Sequence, residues 1–295
     1  MSSHRGRRAS PAPSWRTVMA ETARDLDDPH EAGWIVQHAA GLQAAAIMSR
    51  LDAPAPPSVL LRVRALVERR RSGEPLQWVL GGWGFRGVEV AVDGRALVPR
   101  PETEVVVEQA LAQLRLASRP CRVADLGTGS GVIALAIASE DPTVQVYATD
   151  ASVEALSLAT ENLARQPEHV RARVRMLEGD WFGALPPKLA GGIAVVVSNP
   201  PYLAAGEWSA LDPVVRDYDP YEALVAGETG LEAISRLIAE APRWLCAAGA
   251  LVLEIAPHQG EAVLALVADE AGYSSAEVAE DLAGRARVLV ARRRS

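Results

Sequence analysis

Cysteine is nearly missing from this chain: Cys121 and Cys246 are the only two in 295 residues. Each sits in an apolar stretch, so the expectation is two buried free thiols; a disulfide framework takes more cysteines in a shorter chain. Cys-x-x-Cys and His-Glu-x-x-His spacings are absent and the five histidines are scattered, so no structural or catalytic metal is expected. Lysine is scarcer still, Lys188 being the single lysine among 30 basic residues. That bias is read as codon composition, leaving guanidinium chemistry to be argued at individual sites. Positive charge is not in excess either. The formal net charge is −7, whereas duplex-binding proteins carry a basic footprint, so a direct nucleic-acid partner is not expected and a protein partner has room. No apolar run approaches the ~20 residues of a helical membrane span. Met1–Ser14 carries Arg5, Arg7 and Arg8 without an apolar core, so it is read as a disordered tail and not a secretory signal, in a cytoplasmic protein.

What is present is ordinary globular material, 49% hydrophobic and 23% charged, with length for about two domains. After the tail, residues 15–75 show helical spacing: Trp15, Val18, Met19, Thr22 and Leu26; then Trp34, Ile35, His38 and Leu42; then Leu60, Val63, Leu66 and Val67. The Trp34/His38 pair is read as core packing. Pro54, Pro56 and Pro57 separate the last two of three helices, and Arg69–Arg71 complement the final helix dipole before the Gly73 stop. In residues 76–98, Trp83, Phe85, Val88, Val90 and Val92 alternate among glycines, which predicts a β-hairpin linker.

Residues 99–295 read as one α/β domain. Strands are predicted at Val123–Leu126, Val144–Thr149, Arg173–Leu177, Ile193–Ser198, Ala250–Ile255, Ala276–Glu280 and Arg287–Ala291. Helices are predicted at Gly131–Ser139, Val153–Arg165, Leu231–Leu245 and Gln259–Ala271. Such alternation implies a mostly parallel sheet with helices on both faces. Only Leu282–Arg285 separate the last two strands, so these form an antiparallel edge hairpin. A seven-stranded sheet finished in this way resembles the class I methyltransferase fold, not the six-stranded dinucleotide fold.

The first strand of that domain runs into Asp125-Leu-Gly-Thr-Gly-Ser-Gly131. Gly127, Gly129 and Gly131, with Thr128 and Ser130 between them, let a ligand lie against bare backbone. The spacing is not the G-x-G-x-x-G of a pyrophosphate loop. Asp125, just ahead of the turn, would repel a phosphate and suits a cationic ligand carrying an ammonium and a sulfonium. Asp150 closes the second strand, where a carboxylate can take both hydroxyls of a ribose. The pairing resembles class I S-adenosylmethionine-dependent methyltransferases, which implies that cofactor. In that fold the end of the third strand borders the adenine, so Trp181 would pack on the ring and Asp180 accept its amino group.

The fourth strand ends in Asn199-Pro200-Pro201-Tyr202. Tandem prolines fix φ and exclude helix, holding carbonyls outward. The Asn199 amide oxygen and a nearby carbonyl then form two acceptors for a planar NH2 group, turning its nitrogen lone pair toward a methyl donor. Orientation of this kind is worth roughly 7–11 kcal/mol, and no base is needed before transfer. Tyr202 would stack on the flat target. An exocyclic amino group of adenine or guanine would satisfy the same motif, although no basic channel for a flipped base is apparent.

Further segments extend the likeness. They are Arg70-Arg-Ser-Gly-Glu-Pro-Leu76, Leu97-Val-Pro-Arg-Pro-Glu-Thr-Glu104, Gly179-Asp-Trp-Phe182, Asp217–Leu224, Leu253-Glu-Ile255, Gln259-Gly-Glu-Ala262 and Asp281-Leu-Ala-Gly-Arg285. With them the chain is identified as a member of the protein-(glutamine-N5) methyltransferases that modify peptide chain release factors. The resemblance implies that Arg100, Pro101, Glu102 and Thr103 line the entrance where cofactor and substrate meet. It also implies that the substrate is the glutamine of a Gly-Gly-Gln loop and that the helical domain grips the release factor. Ribosomal-protein glutamine methyltransferases share the catalytic motif.

Overall fold

A computed structural model describes residues 12–295, so residues 1–11 of the expected tail lie outside it. The chain divides into two compact units, one ending at Leu80 and the other running from Gly81 to Ser295. The first unit holds α1 (Trp15–Leu26), α2 (Pro29–Ala40), α3 (Ala44–Met48), α4 (Pro57–Arg71) and α5 (Leu76–Leu80). Ser14, placed in the expected tail, packs on this unit: its hydroxyl accepts from Thr17 N at 3.3 Å to cap α1, and Ser14 also bridges to Pro54. Asp28 caps α2 by accepting from His30 N at 2.7 Å and Glu31 N at 3.0 Å, with Pro29 at the first helical position, where no N–H is missed. Trp15, Val18, Ile35, Val36, Val59, Val63 and Val67 form the core of this unit. Trp34 and His38 do not, because the buried face of α2 is Ala32, Ile35, Val36 and Ala39, which leaves both of them on its exposed side. Arg70 donates from Nε to Glu31 at 2.7 Å, tying the end of α4 to the start of α2.

Pairing in the predicted hairpin is shorter than the alternation suggests: β1 (Trp83–Phe85) and β2 (Val88–Val90) pair antiparallel, and Leu76–Leu80 is helical. Pro75 opens that helix and buries Leu76 and Val79 on one side of it. The ladder stops at Val90 because the next backbone unit has another partner. Asn162, fully buried, accepts from Ala91 N at 2.7 Å and donates to Ala91 O at 3.1 Å.

The rest of the second unit comprises α6 (Thr103–Leu114), β3 (Cys121–Leu126), α7 (Val132–Glu140), β4 (Val144–Asp150), α8 (Val153–Ala164), α9 (Glu168–Arg171), β5 (Val174–Glu178) and β6 (Ile193–Ser198). It continues with β7 (Leu203–Ala204), α10 (Pro213–Arg216), α11 (Tyr221–Leu224), β8 (Val225–Gly227), α12 (Glu232–Trp244), β9 (Leu245–Glu254), α13 (Gly260–Asp269), β10 (Tyr273–Glu280) and β11 (Ala286–Arg293). Seven strands form one sheet in the order β10-β11-β9-β6-β3-β4-β5. All pairs are parallel except those of β11, which lies antiparallel between β9 and β10. This is the class I methyltransferase architecture. Every residue of β6 is buried, which explains why it reads as a continuous apolar run and not an alternation. Helix α6 escaped the sequence reading although Thr103, Val106, Val107, Ala110, Leu111 and Leu114 recur at helical spacing along its buried side. Of the cysteines, Cys121 is buried, but Cys246 lies beside the exposed Ala247 and Ala248 and is half-buried; both thiols are free. Among the described residues no helix is long and apolar enough to cross a membrane.

Asn162 also donates to Ser130 O at 2.9 Å, so one buried amide holds both the backbone just after β2 and the glycine loop. Asn162→Ala would strand three buried backbone groups at a cost of about 1–3 kcal/mol for each. The expected outcome is a fall of roughly 3 kcal/mol in unfolding free energy, read from the shift of the urea midpoint at unchanged slope.

Candidate active site

Strand order reverses between β3 and β6, so their connections leave to opposite faces and a crevice opens beyond their carboxyl ends. A cavity of about 570 Å³ fills that crevice. The turn after β3 forms its floor, Asp150–Ala155 one flank, Leu97–Arg100 and Thr103 another, and Asn199 and Pro201 the end of β6. Pro220, Glu222 and Ala223 complete the wall from the α11 region.

The turn needs its glycines. Gly127, Gly129 and Gly131 have φ of +67°, +56° and +84°. A Cβ at Gly127 would come within 3.1 Å of the Trp181 ring, and one at Gly131 within 3.2 Å of the Ala159 methyl. Two carboxylates clamp the loop from below and beside. Asp125 is fully buried; its Oδ2 accepts from Thr128 Oγ1 at 2.6 Å and from Ala134 N at 3.1 Å, joining the turn to α7. Burial raises its pKa to about 7 against the pull of those two donors. Asp150 accepts from Gly129 N at 2.8 Å and Ser152 N at 2.9 Å while facing the cavity. Burial raises its pKa too, and these backbone donors oppose the shift.

Trp181 sits at φ +46° with its ring against Gly127, and Asp180, exposed beside it, accepts from Arg236 Nη1 at 2.6 Å. On the other side, Asn199 Nδ2 donates to Thr103 Oγ1 at 3.3 Å, and Thr103 Oγ1 donates to Glu254 Oε2 at 2.7 Å. Tyr202 OH donates to Glu254 Oε1 at 3.3 Å. Burial pushes the Glu254 pKa up, while Thr103, Arg287 and Tyr202 pull it back. The Tyr202 hydroxyl is raised by burial and then by Glu254. Gln259 Nε2 donates to Tyr202 O at 2.9 Å, fixing the backbone behind the prolines. Arg100 pairs with the buried Asp219, which links Leu97–Arg100 to the segment before α11.

The structure therefore brings Gly127, Thr128, Gly129, Ser130, Asp150, Asp180, Trp181, Asn199, Pro201, Arg100 and Thr103 to one cavity. Gly131 lies just behind it as the N-cap of α7. Asp125 does not reach the cavity wall, because its bonding oxygen is turned to Thr128 and α7 beneath the loop. Tyr202 does not face it either: its ring packs on the hydrophobic core and its hydroxyl is turned to Glu254. Pro200 is buried, Pro101 is exposed, and Glu102 pairs with Arg285 at 3.3 Å, so none of these three lines the wall. Sequence reasoning assigned no role to Glu254, Asp219 or Asn162. For Glu254 a signal existed, a lone carboxylate closing the apolar strand Leu251-Val-Leu-Glu254. Among the described residues no cluster of three metal-ligating side chains occurs.

Residues 20–81 match the model of the PrmC N-terminal domain, and residues 105–214 that of the Methyltransferase small domain. A release factor glutamine methyltransferase of Deinococcus radiodurans is 41% identical over 263 residues, which cover 89% of this chain and 90% of that protein. One from Gloeobacter violaceus is 37% identical, covering 95% of this chain and 96% of that protein. Among solved structures, the hMettl16 catalytic domain in complex with an RNA hairpin shares the fold alone, at 14% identity and a TM-score of 0.53 over 80% of this chain and 81% of that one. The chain belongs to the release factor glutamine methyltransferase family.

Proposed function

We propose that this enzyme methylates the side-chain amide nitrogen of the glutamine in the Gly-Gly-Gln loop of peptide chain release factors. The observation that carries the reading is Asn199, with its amide NH2 occupied by Thr103 at 3.3 Å and its oxygen left for a substrate at the end of the cavity. S-adenosylmethionine is the cofactor, and the cavity suits it: about 570 Å³ lies within the range of small-molecule sites, with bare glycine backbone on its floor and a carboxylate at its side. When bound, the cofactor supplies an electrophilic methyl on a sulfonium.

Asp150 accepts the ribose hydroxyls, and the Gly127–Gly131 turn packs on the amino-acid end of the cofactor. Trp181 covers the adenine, with Asp180 at the ring edge. Asn199 Oδ1 and a proline carbonyl accept both hydrogens of the glutamine NH2. This draws electron density back to a nitrogen whose lone pair is otherwise delocalised, and it aims that lone pair at the methyl. With the cofactor bound, the N–C bond would form as the sulfonium S–CH3 bond breaks to leave a neutral thioether, and the nitrogen would then lose its proton to solvent, so no side-chain base is required. Arg100, held by Asp219, shapes the entrance. The helical unit supplies contacts to the release factor, in keeping with the family match over residues 20–81.

Mass spectrometry of a release factor incubated with the enzyme and S-adenosylmethionine is expected to show one added methyl on the Gly-Gly-Gln glutamine. Methyl found instead on ribosomal protein or RNA would refute the substrate and retain the chemistry. Asn199→Ala should lower kcat by roughly 10²–10³ while cofactor affinity stays within a few-fold. Asp150→Ala should instead weaken cofactor binding by about 10–100-fold in calorimetric titration, the loss of charge-assisted hydrogen bonds.

A further inference from the structure

The motif Asn-Pro-Pro-Tyr supplies an amide, and an amide has two ends. Its use as an acceptor depends on which end faces the substrate. Nothing in Asn199 itself decides this, since oxygen and NH2 are nearly the same size and interconvert by a half-turn about one bond.

The surroundings do decide it. Glu254 is 1% exposed at the end of β9, and both of its oxygens accept from hydroxyls, Oε2 from Thr103 and Oε1 from Tyr202. Thr103 Oγ1, 2.7 Å away, must therefore spend its single hydrogen on Glu254 Oε2. What Thr103 then offers Asn199 is a lone pair, and only the NH2 end of the amide can answer it, at 3.3 Å. The reversed amide would set its oxygen against that lone pair. Tyr202 OH occupies the other Glu254 oxygen, at 3.3 Å; burial raises the carboxyl pKa, and Thr103, Arg287 and Tyr202 oppose that shift. Thr103 is itself fixed. It is 3% exposed in the first turn of α6, and the preceding Glu102 is held by Arg285, whose Nε also donates to Asp281 at 2.8 Å.

We propose that Thr103, held by Glu254, is a positioning residue that locks the Asn199 amide with its oxygen toward the substrate nitrogen, and is not itself a substrate contact. This rests on the methyl-transfer reading above. The direction passes as a relay of hydrogen-bond polarity: accepting carboxyl group, then hydroxyl, then amide.

The test is steady-state kinetics on Thr103→Val and Thr103→Ser with a release factor substrate, alongside calorimetric titration of each variant with S-adenosylhomocysteine. Valine keeps the shape and removes the hydroxyl, so kcat is expected to fall roughly 10–100-fold, the usual size of an orienting outer-shell loss, with KM and nucleoside affinity within about three-fold. Serine keeps the hydroxyl and is expected to restore kcat to within a few-fold. Glu254→Gln, whose amide can either donate or accept, is expected to fall between the two. Wild-type kcat in Thr103→Val would overturn the proposal, as would a parallel loss of nucleoside affinity, or a serine variant as slow as valine. Wild-type kcat in Glu254→Gln would remove Glu254 from it. If Asn199→Ala is also fully active, the failure lies with the methyl-transfer reading; if only Thr103→Val is active, it lies with the relay.

Discussion

Everything at this site depends on one break in the sheet, the place where β3 and β6 lie side by side but send their chains to opposite faces. No helix can cover the carboxyl ends of both strands at once, so the crevice is a consequence of topology and not of particular side chains. The sequence then decides what the crevice holds. After β3 it places backbone at positive φ that only glycine adopts cheaply, and after β6 an amide stiffened by two prolines. The glycine turn and the Asn199 amide line one cavity because the two strand ends are neighbours.

Buried and half-buried carboxylates carry much of the remaining order. Asp125 sits beneath the glycine turn, Asp150 beside it, Glu254 behind Asn199 and Asp219 behind Arg100. In each, burial raises the pKa and specific donors oppose the shift. Each of these carboxyl groups accepts from the hydroxyl, N–H or guanidinium beside it, which fixes the direction of those donors. That property suits a site whose task is to present acceptors and a bare backbone in one orientation. It also separates contact from support: Asp125 and Tyr202, both read from the sequence as ligand contacts, are turned away from the cavity.

The strands, the edge hairpin and the glycine turn were legible in the sequence because each is a local pattern. The five residues between the last two strands, Asp281–Arg285, leave no room for a crossover helix, so the antiparallel pairing follows from length alone. The glycine spacing likewise announces a turn without reference to the rest of the chain. What escaped depends on partners far away in sequence. The hairpin ends early because Asn162 takes the backbone of Ala91, and Trp34 is exposed because the core claims the other face of α2. Glu254 gains its meaning only when α6 sets Thr103 beside it, 151 positions earlier in the chain. Hydrophobic periodicity reports which face is buried, but a polar side chain in the core takes its role from whichever groups the fold brings to it.

The most direct test of the account is a crystal structure of the enzyme with S-adenosylhomocysteine and a peptide containing Gly-Gly-Gln. The account predicts the glutamine NH2 within hydrogen-bond distance of Asn199 Oδ1, its nitrogen facing the cofactor sulfur, and Asn199 Nδ2 still on Thr103. A glutamine carbonyl seated at Asn199, or a peptide bound away from the β6 end of the cavity, would contradict it.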